Sequence, residues 1–366
     1  MTLDQKDYIN YLPEVRALVN RVVQRNMAEG ILFSAGTDTS IIAYEAVKTK
    51  PNLPALTMAF KHGNPKDTEY VKKMVAFLKL KDHKTHVFER DEVVKNAPKV
   101  VEVLKTFDPM EVRNSMPVYI ALTMMKARGI NSVFTGDALD ELFGYPWMFH
   151  LSEAELMQKF QDMWGEMGFS SIPLGKSVGV TIKPPYLDPE FMDYAKKLPI
   201  KLKINFHEGV KYSKWIMRKA YEDVIPKDVI WRPKAPLEQG TGTEALRTFF
   251  DKEISDKEFE EKKKRILEED GVKIGEKEQL IYYEYFRKLY GKPSDVFNDK
   301  SKGKQCPYCK SYVKTKIAFC KVCGAYPIQK LALHLSLNPS LSSSIQRHQR
   351  RRAYSESRPQ GNAGPI

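Results

Sequence analysis

The first 305 of the 366 residues contain no cysteine. That excludes a thiol nucleophile and a stabilising disulfide from the whole stretch. Long apolar runs are also missing. None approaches the roughly 20 residues that span a bilayer, so no membrane partner is expected. The opening residues, Met1-Thr2-Leu3-Asp4-Gln5-Lys6-Asp7, lack the apolar centre of a secretory leader. The expectation is a soluble cytoplasmic protein. No internal repeat is visible. Both signs of charge are present but unequal, with 59 Lys and Arg against 46 Asp and Glu and a formal net charge of +13. The excess fits polyanion partners, although scattered lysines serving solubility give the same sum. With 42% hydrophobic and 29% charged residues, the chain is globular, long enough to bury a sizeable core in about two domains.

The most informative stretch is Phe33-Ser34-Ala35-Gly36-Thr37-Asp38-Thr39-Ser40. It follows the apolar Gly30-Ile31-Leu32 and opens onto a helical pattern from Ile41 to Val47. Strand, small-residue turn and helix start make a phosphate-holding device. The backbone N–H groups of the turn and the helix N-terminus converge on one anion, and Asp38 stands where a Mg2+ could bridge to the same phosphates. No Lys follows as a Walker A loop requires, and there is no Gly-x-Gly-x-x-Gly. An ordinary capped strand-turn-helix is the bland alternative. The stretch resembles the Ser-Gly-Gly-x-Asp-Ser-Ser loop of the N-type ATP pyrophosphatases, which grips pyrophosphate. Ala35 replaces a Gly and Thr39 a Ser. Thr39 keeps the hydroxyl, whereas Ala35 is strained if the turn needs a positive φ.

All four cysteines lie near the C-terminus, as Cys306-x2-Cys309 and Cys320-x2-Cys323, with a ten-residue spacer. Two such pairs bring four thiolates to one tetrahedral Zn2+. A pair of disulfides is disfavoured in the cytoplasm, and a redox Cys-x-x-Cys needs no second pair.

Helical spacing over 8–29 is followed by a strand at 30–32, a strand at 55–60, a helix at 67–80, a strand at 85–88, a helix near 91–106, a helix at 116–128 and a strand at 132–135. This alternation predicts an α/β fold with a doubly wound, mainly parallel sheet covered on both faces. Ligands of such sheets sit at the C-terminal strand ends. Residues 150–292 read as mostly helical, with a solvated helix over 251–270. The expected organisation is a catalytic domain at 1–292, a polar linker at 293–304, the zinc ribbon at 305–328 and a disordered basic tail at 329–366, rich in Ser, Pro, Gln and Arg.

Gly136-Asp137-Ala138-Leu139-Asp140-Glu141-Leu142-Phe143-Gly144-Tyr145 follows the last strand. Three carboxylates in five residues are costly to bury unpaired and suit a metal or ammonium partner; a capped helix entrance with solvated acids is the plainer reading. With this motif the chain resembles the synthetase domain of asparagine synthetases and the related β-lactam synthetase, whose motif reads Gly-Asp/Glu-Gly-x-Asp-Glu-Leu-Phe-Gly-Gly-Tyr. Further segments match in order: Val112 to Pro117, Pro185-Tyr186-Leu187-Asp188, Lys214 to Ala220, Ile225-Pro226, and Arg232-Pro233-Lys234 running into the Gly-rich 235–242. The likeness covers roughly residues 10–250.

The resemblance implies the ATP-pyrophosphatase, or adenine nucleotide α-hydrolase-like, version of this fold. By position it implies Asp38 and Asp140 as Mg2+ ligands. Ser34, Gly36, Thr37, Thr39, Ser40 and Gly136 would contact ATP or its pyrophosphate, with Leu32 and Phe60 at the adenine pocket. Lys234 would stabilise transition-state charge from its Gly-rich loop, and Asp137 would lie near the reacting nucleophile. The implied reaction adenylates a small carboxylic acid, aspartate or a relative, with loss of pyrophosphate. Ammonia or an amine then displaces AMP. The family's glutaminase domain starts with a catalytic Cys. Met1-Thr2-Leu3 carries none, so nitrogen is expected from ammonia, an amine or a separate glutaminase. The alternative reading is an ATP-pyrophosphatase that adenylates a tRNA base, with ribbon and tail touching RNA. It lacks the core cysteines that tRNA thiolation requires. A third reading is a non-catalytic binder whose loop has decayed at Ala35.

Overall fold

A computed structural model describes residues 4–314 and 318–328. The tail expected at 329–366 lies outside these described residues. Five strands, β1 (Gly30–Leu32), β2 (Ala55–Phe60), β3 (His83–Phe88), β4 (Ser132–Phe134) and β5 (Thr181–Lys183), form one sheet in the order β3-β2-β1-β4-β5. Every pairing is parallel, with Ile31 opposite both Ala55 and Phe134. The sheet is covered on both faces, which is why β2 is buried at all six positions and reads as a continuous apolar run.

One face carries α1 (Tyr11–Arg25), α2 (Thr37–Val47) and α3 (Asp67–Leu78), together with helix Trp215–Tyr221; Val19, Ile41, Met74 and Ile216 meet there. The other face carries α4 (Arg90–Leu104), α5 (Pro109–Ala127) and helix Lys277–Tyr290, with Val100, Met116, Tyr283 and Phe286 in its core.

Helix α5 begins seven residues before the 116–128 expectation. Asp108 caps it by accepting from the Met110 N–H at 3.1 Å, and Pro109 occupies the first turn, where its missing N–H costs nothing. Pro117 sits inside the helix. The stretch expected to be mostly helical also holds β5 and a hairpin, β6 (Ile204–His207) with β7 (Val210–Ser213). Strands of three or four residues are too short to show alternation.

Residues 293–304, expected as a linker, contain helix Pro293–Val296, a 3-10 turn at Lys300–Lys302 and the start of strand β8 (Gly303–Gln305), which pairs antiparallel with β9 (Tyr312–Lys314). The ribbon is packed into the second core: its four cysteines join the cluster that contains Phe107, Tyr283 and Phe286.

Candidate active site

In the order β3-β2-β1-β4-β5 the chain leaves β1 toward β2 and later returns to β4 on the other side of β1. The loops after β1 and β4 therefore diverge and open a crevice at the strand ends. A cavity of about 310 Å³ lies there, lined by Ser34, Gly36 to Thr39, Gly136 to Ala138, Asp140 and Lys234. The two expected motifs are thus neighbours. Their closeness is tight enough that a Cβ on Gly136 would stand 2.9 Å from the Asp38 Cβ.

The loop after β1 is held from within. Ser34 Oγ accepts from the Gly36 N–H at 3.2 Å and lies 3.1 Å from Thr39 Oγ1. Ala35 adopts φ +50°, the left-handed conformation that makes an alanine here strained. Its carbonyl is anchored by Arg232 Nη1 at 3.2 Å, and Arg232 Nη2 pairs with buried Asp67 at 2.6 Å. The Arg232 guanidinium also lies 4.1 Å from the Tyr70 ring centre. Gly36 caps α2 without any side-chain acceptor, so the first N–H groups of the helix face the crevice uncapped. Ser40 Oγ is buried and has no hydrogen-bond partner among the described residues. Free amides and an orphaned hydroxyl at a helix start are the donor set that an oxyanion such as pyrophosphate requires.

Four charges alternate across the crevice. Lys214 Nζ reaches Asp38 Oδ1 and Oδ2 at 2.6 and 2.8 Å and Asp140 Oδ1 at 2.8 Å. Lys234 Nζ reaches Asp140 Oδ2 at 2.7 Å. Burial pushes the Asp140 carboxyl up, but the two ammonium groups outweigh it and hold it at about 2. Burial lowers Lys234, but Asp140 and Asp38 more than offset this and its affinity for a proton is raised. Asp137 stands apart. Thr135 Oγ1 and Ser171 Oγ donate to its Oδ2 at 2.6 and 2.5 Å. Burial raises its pKa; the two hydroxyls only moderate that. Glu141, which also lines the cavity, accepts from the Tyr145 hydroxyl at 2.6 Å.

Helix α6 (Leu139–Phe143), which carries Asp140, is supported from below. Lys203 Nζ donates to the Leu142 carbonyl at 3.2 Å and lies 4.8 and 4.7 Å from the ring centres of Phe160 and Trp164. Burial lowers its pKa to about 7.

Of the residues expected at this site, Leu32, Ser34, Gly36, Thr37, Asp38, Thr39, Gly136, Asp137, Asp140 and Lys234 line the cavity. Ser40 lies one residue behind, within α2. Phe60 does not reach the cavity: it is buried against Phe88, and Leu56, Thr57 and Met58 of the same strand form the wall. Lys214 and Arg232 stand in the motifs, but sequence reasoning gave them no site role. Their signal was a cation within each motif. A larger depression of about 590 Å³, among His62, Arg113, Glu238 and Arg247, contains none of the alternating charges.

The ribbon forms a second constellation. Cys306 and Cys323 Sγ are 3.7 Å apart, Cys309 and Cys320 Sγ 3.6 Å, and all four lie within 4.8 Å of one another. A disulfide would need about 2.05 Å. Four thiolates about 2.3 Å from a tetrahedral zinc stand about 3.8 Å apart, so the set fits that ion. Both Cys-x-x-Cys turns end on a left-handed residue, Lys310 at φ +64° and Gly324 at φ +76°. The N–H of each returns to the carbonyl of the first cysteine, at 2.9 and 2.8 Å.

A family model described as asparagine synthase matches residues 14–177 and 173–308. A probable glutamine-hydrolyzing asparagine synthetase of Dictyostelium discoideum is 26% identical over 317 residues, 76% of this chain and 55% of its own length. Asparagine synthetase B of Escherichia coli strain K12, also glutamine-hydrolyzing, is 26% identical over 316 residues, 79% of this chain and 56% of its own. A glutamine-hydrolyzing asparagine synthetase of Gallus gallus is 27% identical over 260 residues, 65% and 46%. The chain spans about half the length of the curated relatives it matches.

Proposed function

The chain belongs to the asparagine synthase family, and from that premise we propose that it is an ATP-dependent amide ligase that activates a small carboxylic acid as its acyl-adenylate. Its similarity to asparagine synthetases makes aspartate the first candidate acid. The observation that carries the reading is the Lys214, Asp38, Asp140 and Lys234 array beside the uncapped start of α2.

In the first step a carboxylate oxygen attacks the α-phosphorus of ATP, and the bond to the β-phosphate bridging oxygen breaks. Pyrophosphate then rests on the N–H groups of α2 and the hydroxyls of Thr37 and Thr39, with Ser40 behind them in the helix. Lys234, on the loop before Gly240 and Gly242, offsets charge that develops at the phosphates. Asp38 and Asp140 are the residues that would hold Mg2+, which when bound supplies further neutralisation of the phosphate oxygens.

In the second step the nitrogen of ammonia or an amine attacks the acyl carbon, AMP leaves, and the nitrogen loses a proton. Asp137 fits as its acceptor, because burial makes it more basic and two hydroxyls fix its Oδ2.

The domain division that goes with this reading is a synthetase unit through about residue 292 and the ribbon at 305–328, with Zn2+ held by Cys306, Cys309, Cys320 and Cys323. The experiment is pyrophosphate–ATP exchange across a panel of amino acids. Exchange that appears with one small carboxylic acid, aspartate first, is the expected result. Exchange supported by tRNA and by no amino acid would overturn it.

A further inference from the structure

Among the ribbon's contacts with the catalytic region, two seams lead to walls of the crevice. The first is buried. Thr106 Oγ1 donates to the Lys321 and Val322 carbonyls at 2.8 and 3.1 Å, and the Phe107 N–H donates to the Val322 carbonyl at 2.8 Å. Gln279 Nε2 donates to the Cys323 carbonyl at 2.8 Å. Gly324 lies so close to the Asp108 carboxylate that a Cβ would collide with it. Asp108 is the cap of α5. The same helix brings Pro117, Val118 and Ala121 to the cavity, beginning nine residues on, about 13 Å along the axis. The second seam is exposed. Lys314 Nζ pairs with Glu166 Oε1 at 2.8 Å, and Lys321 Nζ donates to the Glu166 carbonyl at 3.3 Å. Glu166 ends helix Glu153–Gly165; Phe169 and Ser171, the latter bonded to Asp137, line the cavity just beyond it.

We propose that the zinc-bound ribbon is a positioning element for the crevice, fixing the start of α5 and the 166–171 segment so that the wall around Asp137 keeps its shape. Lys321 is a positioning residue common to both seams, through its carbonyl and its ammonium. The strengths differ. Breaking the buried seam leaves polar groups unpaired in the interior, whereas the exposed lysine contacts are screened by water and contribute little. Zinc removal should therefore loosen the start of α5 more than residues 166–171. The structural half of the proposal does not depend on the ligase reading; only its kinetic arm does.

Hydrogen exchange by mass spectrometry on the full chain, with and without zinc stripped by chelator, tests it. Stripping is expected to release the thiolates and speed exchange at least tenfold over 105–112, about threefold over 166–171, and little in α2. Rapid exchange confined to 306–323, with 105–112 unchanged, overturns the proposal, as does protein that holds no zinc yet protects both segments. Should stripping unfold the whole chain, Lys321→Ala and Thr106→Val with zinc retained decide instead. T106V is expected to speed exchange over 107–112. K321A is expected to raise KM for the carboxylic acid about threefold with kcat and ATP affinity unchanged, and K321R to restore it. Equal loss in kcat and KM, or no change in exchange for either variant, overturns the assignment. Failed amino-acid-dependent exchange in the unaltered, zinc-loaded protein bears on the ligase reading alone.

Discussion

The four cysteines of the ribbon fall between positions 306 and 323, whereas the four charges of the crevice come from positions 38, 140, 214 and 234. The ribbon's ligands are placed by two tight turns with matching left-handed ends. The crevice charges arrive from four segments, and none faces another until the parallel sheet is built. A site of the first kind depends mainly on its own few residues. A site of the second kind depends on remote residues that never meet the substrate, and substitutions far from the phosphate loop should show it.

The largest such effect is expected at Arg232. It lies almost 200 residues from Ala35 in the chain, yet it neutralises buried Asp67 and holds the carbonyl of the strained loop. Arg232→Ala should cost about 3–5 kcal/mol of unfolding free energy in urea, because a buried carboxylate loses its partner. A cost below 1 kcal/mol would mean that the loop after β1 stands by itself, as the ribbon turns do. Lys234→Ala comes next. It should lower amino-acid-dependent exchange by about 10²–10³ with the fold retained, and an unchanged rate would remove Lys234 from the charge array.

Lys203 probes the support under α6. Its proton affinity falls on folding, to a pKa of about 7, so the folded state holds this proton less well than the unfolded chain. That penalty is full below pH 7 and fades as pH rises toward the ordinary lysine value near 10.4. Lys203→Met should therefore gain about 1–2 kcal/mol near pH 7, part of the relief being offset by the lost attraction to the Phe160 and Trp164 rings. The gain should shrink between pH 7 and 10, and a gain that grows over that range would contradict the assignment. The smallest effect belongs to Ala35→Gly, which relieves the left-handed alanine and should add about 0.5–1 kcal/mol in the same denaturation assay. A large rise in exchange activity from this substitution would show that Ala35 holds the site below its capacity.

Legibility followed the same division. The cysteine spacing, the apolar β1 and β2, and the small-residue turn at 34–36 were readable because each is a local pattern with one physical cause. At Ala35 the sequence showed only that a positive φ would strain the residue; that the turn adopts one is seen only in the fold. Lys214 was not readable as a site residue. Its side chain enters the crevice from a left-handed residue, φ +58°, after β7, and nothing in the adjacent sequence indicates two carboxylates waiting there. Phe60 looked like a pocket residue by its place at a strand end, but the burial of both faces of β2 turns it into the core. The helix expected over 116–128 starts earlier, because the Asp108-Pro109 pair sets its boundary seven residues before Met116. The packing of the ribbon against Thr106 to Asp108 joins partners more than 200 residues apart, and no local pattern encodes it.

That last contact sets an order of events at the ribosome. Thr106 emerges early, yet the Val322 carbonyl that pairs with it follows 216 residues later. At about 5–20 residues per second the wait is roughly 10–40 s. For most of that interval Phe107 lacks Tyr283 and Phe286, which pack on it, and for all of it the second cysteine turn that closes the same cluster. The nascent chain must carry a partly open apolar face until the ribbon is translated, so completion of the second core waits on residues made long after Thr106.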